Sequence, residues 1–203
     1  MNRFRSGLIV SVAGAILLLL DGHAVAADPR CEGHNLLPAP RPETSCQTVF
    51  AKIYPSPDKK LHATVLPADV SLDATPDTES RVVIRSVAGK TLNSMDHSSP
   101  RGANGYYVDR AQWSPGSLYF VYNLVSSGGH SPWSHPTMVY SVQANRFASL
   151  SSLINDRPIL SEKFQLSAPH TLTATTWKKD GAPDDPVPVT VDLAAAFAKL
   201  KSE

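Results

Sequence analysis

The histidines are the residues in this chain best suited to metal or acid–base chemistry. The tightest group is GGHSPWSHP, which sets His130 and His135 five positions apart around Trp133. Two imidazoles in a Gly/Pro-rich loop could share a metal ion. A structural zinc site needs four ligands and a catalytic one about three, however, and this loop holds no acid or cysteine. No metal and no cofactor are expected, with His130 and His135 as the least implausible metal ligands. Asp96-His97-Ser98 lines up three triad-type residues. Neighbours in sequence rarely face one another, and a triad is defined by spatial geometry. No Gly-x-Ser-x-Gly elbow, phosphate-cradling glycine loop or His-Glu-x-x-His motif is written anywhere. The expected function is therefore binding rather than catalysis. An extracytoplasmic hydrolase or a small-ligand-binding domain stands as the alternative.

Two further groups carry candidate chemistry. Tyr106 and Tyr107 follow the Gly/Ser-rich loop MDHSSPRGANG, and Trp133 lies in the next long loop. Aromatic side chains among polar loop residues can anchor a partner. Cys31 and Cys46 are the two cysteines. Export to an oxidising compartment would favour their pairing. The loop they would close contains three prolines, so a disulfide there removes less chain entropy than its length suggests.

Export is itself read from the N-terminus. MNRFRS carries Arg3 and Arg5, GLIVSVAGAILLLL is a short apolar run, and Ala24-Val25-Ala26 has the form of a processing site. These are the three parts of a secretory signal peptide, and the run is short for a membrane span. Residues 1–26 are expected to be a signal, 27–48 a disulfide-containing segment, and 49–203 one β domain. The mature protein would be periplasmic or secreted, with no membrane span. Removing Arg3, Arg5 and Asp21 from 19 basic and 18 acidic residues leaves seventeen of each. A near-neutral chain without a basic block is a poor nucleic-acid ligand. The expected partner is an envelope protein or a second copy of the chain.

The elements that would position these groups are strands. YPSPDKKLHATVLP (54–67), QWSPGSLYFVYNLV (112–125) and QLSAPHTLTATTWK (165–178) each place a Ser near a Pro, then a turn, then a strand-like run. Each is followed by a second strand-like run: RVVIRSV, TMVYSVQ and VPVTVDL. Internal similarity at a near-fixed period marks a repeat architecture. In the middle unit one strand face carries Leu118, Phe120 and Tyr122, and the other Tyr119, Val121 and Asn123. With no charge on either face, this strand is expected to be central and buried. Trp113 is expected to pack in the core. Helix signals are confined to FASLSSLIND and to DLAAAFAKLKSE, where Asp192 could act as a cap.

SPDKKL and WSPGSLYFVY resemble the turn–strand signature of bacterial WD40-like repeats, as found in periplasmic TolB-type propeller domains. Trp113, Ser114, Pro115 and Gly116 carry the best match; Gly89-Lys90 and Asn145-Arg146 are looser counterparts of the later turn. The resemblance implies an all-β fold of antiparallel sheets, built from about three blade-like units that present a binding surface. Three units fall short of the four to eight that close a propeller, so the expectation is an incomplete propeller, with a β-sandwich as the alternative.

Overall fold

The computed structural model describes residues 51–68, 78–99, 104–129, 135–177 and 185–200. These form three separate antiparallel sheets. The first runs in the order β1 (Lys52–Pro55), β2 (Leu61–Pro67), β3 (Ser80–Ser86) and β4 (Thr91–Asp96). The second repeats that order with β5 (Tyr106–Trp113), β6 (Tyr119–Ser126), β7 (Thr137–Ser141) and β8 (Arg146–Ser149). The third has β9 (Gln165–Ser167), β10 (Thr171–Trp177) and β11 (Pro186–Asp192). Two short helices follow strands: α1 (Leu150–Leu153) after β8 and α2 (Leu193–Lys199) after β11. The architecture is all-β, and no sheet closes on itself.

The first two Ser-Pro phrases are tight turns with one design, which the third, with its cis Ala168–Pro169 bond, does not share. Ser56 N donates to the Leu61 carbonyl (2.9 Å), and Lys59 N to the Ser56 carbonyl (2.9 Å). Ser114 N donates to the Tyr119 carbonyl (2.8 Å), and Ser117 N to the Ser114 carbonyl (2.9 Å). Pro57 and Pro115 occupy the second turn position, where a fixed φ helps. Lys59 and Ser117 both adopt φ 58°, the left-handed residue that completes such a loop. The left-handed position in the second turn thus belongs to Ser117 and not to its neighbour Gly116. Each serine hydroxyl then accepts an amide from the departing strand: Leu61 N on Ser56 Oγ (3.0 Å), Tyr119 N on Ser114 Oγ (3.1 Å). Leu118 N also reaches Ser114 Oγ (3.2 Å). Ser114 is fully buried, so Ser114→Ala strands the buried Tyr119 amide away from water and removes a partner of the Leu118 amide. We expect it to lower stability by about 1–3 kcal/mol in a urea titration, with the slope unchanged.

A second shared bond ties the third strand of each sheet to the turn before its second strand. Val87 N donates to Lys60 O (2.9 Å), Val142 N to Leu118 O (2.9 Å), and Leu193 N to His170 O (3.0 Å). In the third sheet the chain then turns into α2 where the other two sheets have a fourth strand. Asp192 is both the last residue of β11 and the N-cap of α2, its side chain accepting from Ala195 N (3.0 Å). The tail is therefore strand and capped helix in succession.

The second sheet lies between the other two. One face of β6 presents Phe120, Tyr122 and Leu124 to Ala63, Val65, Val82 and Ile84 of the first sheet. The opposite face presents Tyr119 and Val121 to Leu166, Leu172, Ala174 and Val191 of the third. Phe197 of α2 joins that second core, its ring 5.9 Å from Tyr119. Burial of six consecutive residues on β6 agrees with its uncharged pattern on both faces. Leu118 departs from expectation: it lies in the turn, outside β6, and is 43% exposed.

The expected disulfide is corrected. Cys31 and Cys46 both lie outside the described residues, and the described fold is assembled without any disulfide. The expected signal segment also lies outside the described residues. Among the described residues no helix is long and apolar enough to cross a membrane.

Candidate binding groove

The first sheet keeps an apolar hollow open to solvent where β1, the β1–β2 turn and the end of β3 meet. Ile53 and Pro55 come from β1, Pro57 and Lys59 from the turn, Leu61 and His62 from β2, and Val87 from just past β3. The hollow measures about 570 Å³, within the size range of ligand and peptide pockets. Ile53 is 63% exposed and Val87 76%, the two largest exposures among the large hydrophobic side chains of the described residues. Single exposed apolar residues are ordinary, but two flanking one hollow form a patch.

Its charge is one-sided. Among the described residues no acid lines the hollow, while Lys59 does, and Lys52, Lys60 and Lys90 are exposed on the adjoining residues. The nearby acid, Asp58, is already engaged. Its Oδ1 accepts from Ser56 Oγ (2.7 Å) and Lys60 N (3.2 Å), and Lys60 Nζ lies 3.9 Å from Oδ2. Those bonds, led by the Ser56 hydroxyl, hold its carboxyl below the usual range. His62 is pushed down by burial and then by the Arg85 charge, which favours neutral imidazole in the groove.

The groove's edge strand is pinned from behind. Trp113 Nε1 donates to the Tyr54 carbonyl on β1 (2.8 Å). The Trp113 ring also packs on Phe120 at 5.2 Å, and Tyr54 on Phe120 at 5.7 Å. An edge strand normally offers free backbone groups to strand-adding partners. Here Trp113 takes the Tyr54 carbonyl, so the groove offers side chains rather than an open ladder at that point.

The opposite end of the first two sheets is organised by Glu79, which is 1% exposed. Its Oε1 accepts from Gly105 N, Ser99 Oγ (2.9 Å) and Ser127 Oγ (2.8 Å). Its Oε2 accepts from Ser99 N. One carboxylate thus ties together the approach to β3, the β4–β5 connection and the end of β6. Gly105 is obligatory here: a Cβ would stand 2.5 Å from the His97 carbonyl and 2.6 Å from the Glu79 carboxyl carbon. Beneath it, His97 Nε2 bonds Tyr122 Oη (2.9 Å), and burial pushes the imidazole down to about 4, partly opposed by Asp96.

The expected site residues scatter over this frame. Tyr106 and Tyr107 lie half-buried in β5, Tyr106 packing against the core between the first two sheets. Trp133 and His130 lie outside the described residues. His135 donates its backbone N–H to the Ile159 carbonyl (3.0 Å), and its Nε2 is 3.8 Å from Glu162 Oε2. Among the described residues no group of three or more His, Cys, Asp or Glu could hold a metal ion. Asp96 accepts from Ser98 N (2.9 Å) and Ser98 Oγ (2.7 Å), closing a local turn, while His97 turns to Tyr122. Asp96, His97 and Ser98 thus do not form a relay. The groove residues Ile53 and Val87 drew no attention in sequence. Their signal was an apolar side chain set among lysines and turn residues, in KIYPSPDKK and SVAGK.

A scan against protein-family models finds no match to this chain, and a search of curated proteins finds none either. The TolB-type resemblance thus rests on the chain's own turn and strand residues; what the fold supports is an all-β protein of small antiparallel sheets.

Proposed function

We propose that this chain is an exported binding protein of the cell envelope, and that it docks an extended partner segment carrying apolar side chains and acidic neighbours in the groove of the first sheet. The observation that carries the reading is the exposure of Ile53 and Val87 across one hollow whose rim is basic. Apolar side chains would fill the hollow, and the surrounding lysines would favour acidic flanks and speed encounter. The Ser-Pro turn shared by the first two sheets and the third-strand bond repeated in all three support reading the sheets as blade-like units, with α2 ending the series. Signal removal after Ala26 would deliver the protein to the periplasm or medium.

The test is fluorescence anisotropy with two model peptides of equal apolar content, one with aspartate neighbours and one with lysine. The aspartate peptide is expected to bind, and to weaken as salt rises. Ile53→Asp and Val87→Asp each alter an exposed position, so stability should shift by no more than about 0.5 kcal/mol. Each should weaken the aspartate peptide at least tenfold, about 1.4 kcal/mol. Equal binding of both peptides, or no effect of either substitution, overturns the reading.

A further inference from the structure

We propose that the cleft between α1, β11 and α2 binds a small amphipathic carboxylate, independently of the groove on the first sheet. The cleft measures about 390 Å³, again within the range of small-ligand sites. Its floor is apolar: Ile154, Val191 and Ala196 are buried members of the core between the second and third sheets, and Val189 packs against it. Two cations line it, Arg157 beyond α1 and Lys199 in the last turn of α2. An aliphatic chain on that floor would carry its charged end to the cations.

The cleft's own acid, Asp192, is engaged away from the two cations. Asp192 Oδ1 accepts from Ala195 N (3.0 Å) as the α2 cap, and its Oδ2 lies 3.3 Å from His170 Nε2. Arg157 is held in place by one arm, its Nη2 donating to the Trp177 carbonyl. A guanidinium presents five donors in a fixed plane, and a carboxylate is the group that engages two of them at once. An arginine anchored at the edge of the cleft beside an apolar floor therefore selects an anion with a hydrocarbon tail over a neutral or cationic analogue. Van der Waals contact with the floor and charge-assisted bonds to Arg157 would act on opposite ends of one molecule.

The experiment is titration of the purified protein with hexanoate, hexanol and hexylamine, followed by calorimetry. Hexanoate is expected to bind in the millimolar range, and the other two at least about tenfold more weakly. Arg157→Lys keeps the charge but loses the planar fork, and should weaken hexanoate several-fold. Since Arg157 also holds the Trp177 carbonyl, a second variant guards against simple misfolding. Ala195→Phe sits on the exposed side of α2 at the cleft mouth and should block hexanoate while leaving the melting temperature unchanged. No hexanoate binding at about 10 mM, equal affinity for hexanol, or undiminished binding by Ala195→Phe overturns the proposal. None of these outcomes bears on the groove, whose probes are peptides.

Discussion

Glu79→Gln is expected to lower stability by about 3 kcal/mol and the melting temperature by about 10 °C. The substitution keeps shape and removes charge. Glutamine must place an NH2 where one carboxylate oxygen was. Hydroxyls of Ser99 and Ser127 can rotate to accommodate it, but the backbone N–H groups of Ser99 and Gly105 cannot. Whichever way the amide is flipped, a buried donor faces a donor. The carboxylate instead accepts all of them, and hydrogen bonds to a charged group are worth about 1.5–3 kcal/mol each.

The same residue shapes the acid limb. Burial acts to raise the Glu79 carboxyl, but the bonds from Ser99, Ser127 and Gly105 together outweigh it, leaving it below its usual 4.5. A lowered carboxyl contributes stability that is complete above the unfolded value and is lost as pH falls through the folded one. The gap between the native protein and Glu79→Gln should hold at neutral pH and shrink only below about pH 4.5. His97 adds a separate slope. Its imidazole is neutral in the fold down to about 4 against 6.5 when unfolded, so its contribution erodes between those values. Both proteins share that slope, which makes their difference specific to Glu79. Urea titrations from pH 3 to 8 would check it; a gap independent of pH would contradict the assigned bonding.

Trp113→Ala is expected to cost about 3–5 kcal/mol. The indole fills the core beside Phe120 and holds the Tyr54 carbonyl, so its removal opens a cavity and frees the edge strand in one step. Trp113→Phe separates the two roles. It restores most of the packing and loses the donor, for about 1–2 kcal/mol. Because β1 carries Ile53 and Pro55, both variants should also weaken groove binding, the alanine variant more strongly. Amide exchange on β1 would report the loosened strand directly. Protection of β1 unchanged in Trp113→Ala would contradict the pinning role.

Much of this frame was legible in the residues themselves. Turn chemistry is local, so Ser56-Pro57 and Ser114-Pro115 marked hairpins correctly. The uncharged period-2 pattern on both faces of 119–124 marked a strand covered twice. Other features depended on contacts distant in sequence. Glu79 receives bonds from residues 20, 26 and 48 positions away, and nothing in DTES distinguishes it from the acids before it. Asp96-His97-Ser98 looked like chemistry because of adjacency, yet the imidazole's partner is Tyr122, 25 residues on. The groove was hidden for the opposite reason. Val87 read as the end of an ordinary strand run and Ile53 fell just outside the patterned runs, until the fold left both uncovered. Leu118 read as strand because its neighbours do, but Ser117 keeps it in the turn.

The most direct test of groove binding is residue-resolved NMR of the labelled protein, titrated with the aspartate-flanked apolar peptide. Saturable shifts centred on Ile53, Leu61, His62 and Val87, and absent in Val87→Asp, are what the account predicts. Shifts centred elsewhere, or none at peptide concentrations that saturate the anisotropy signal, would contradict it.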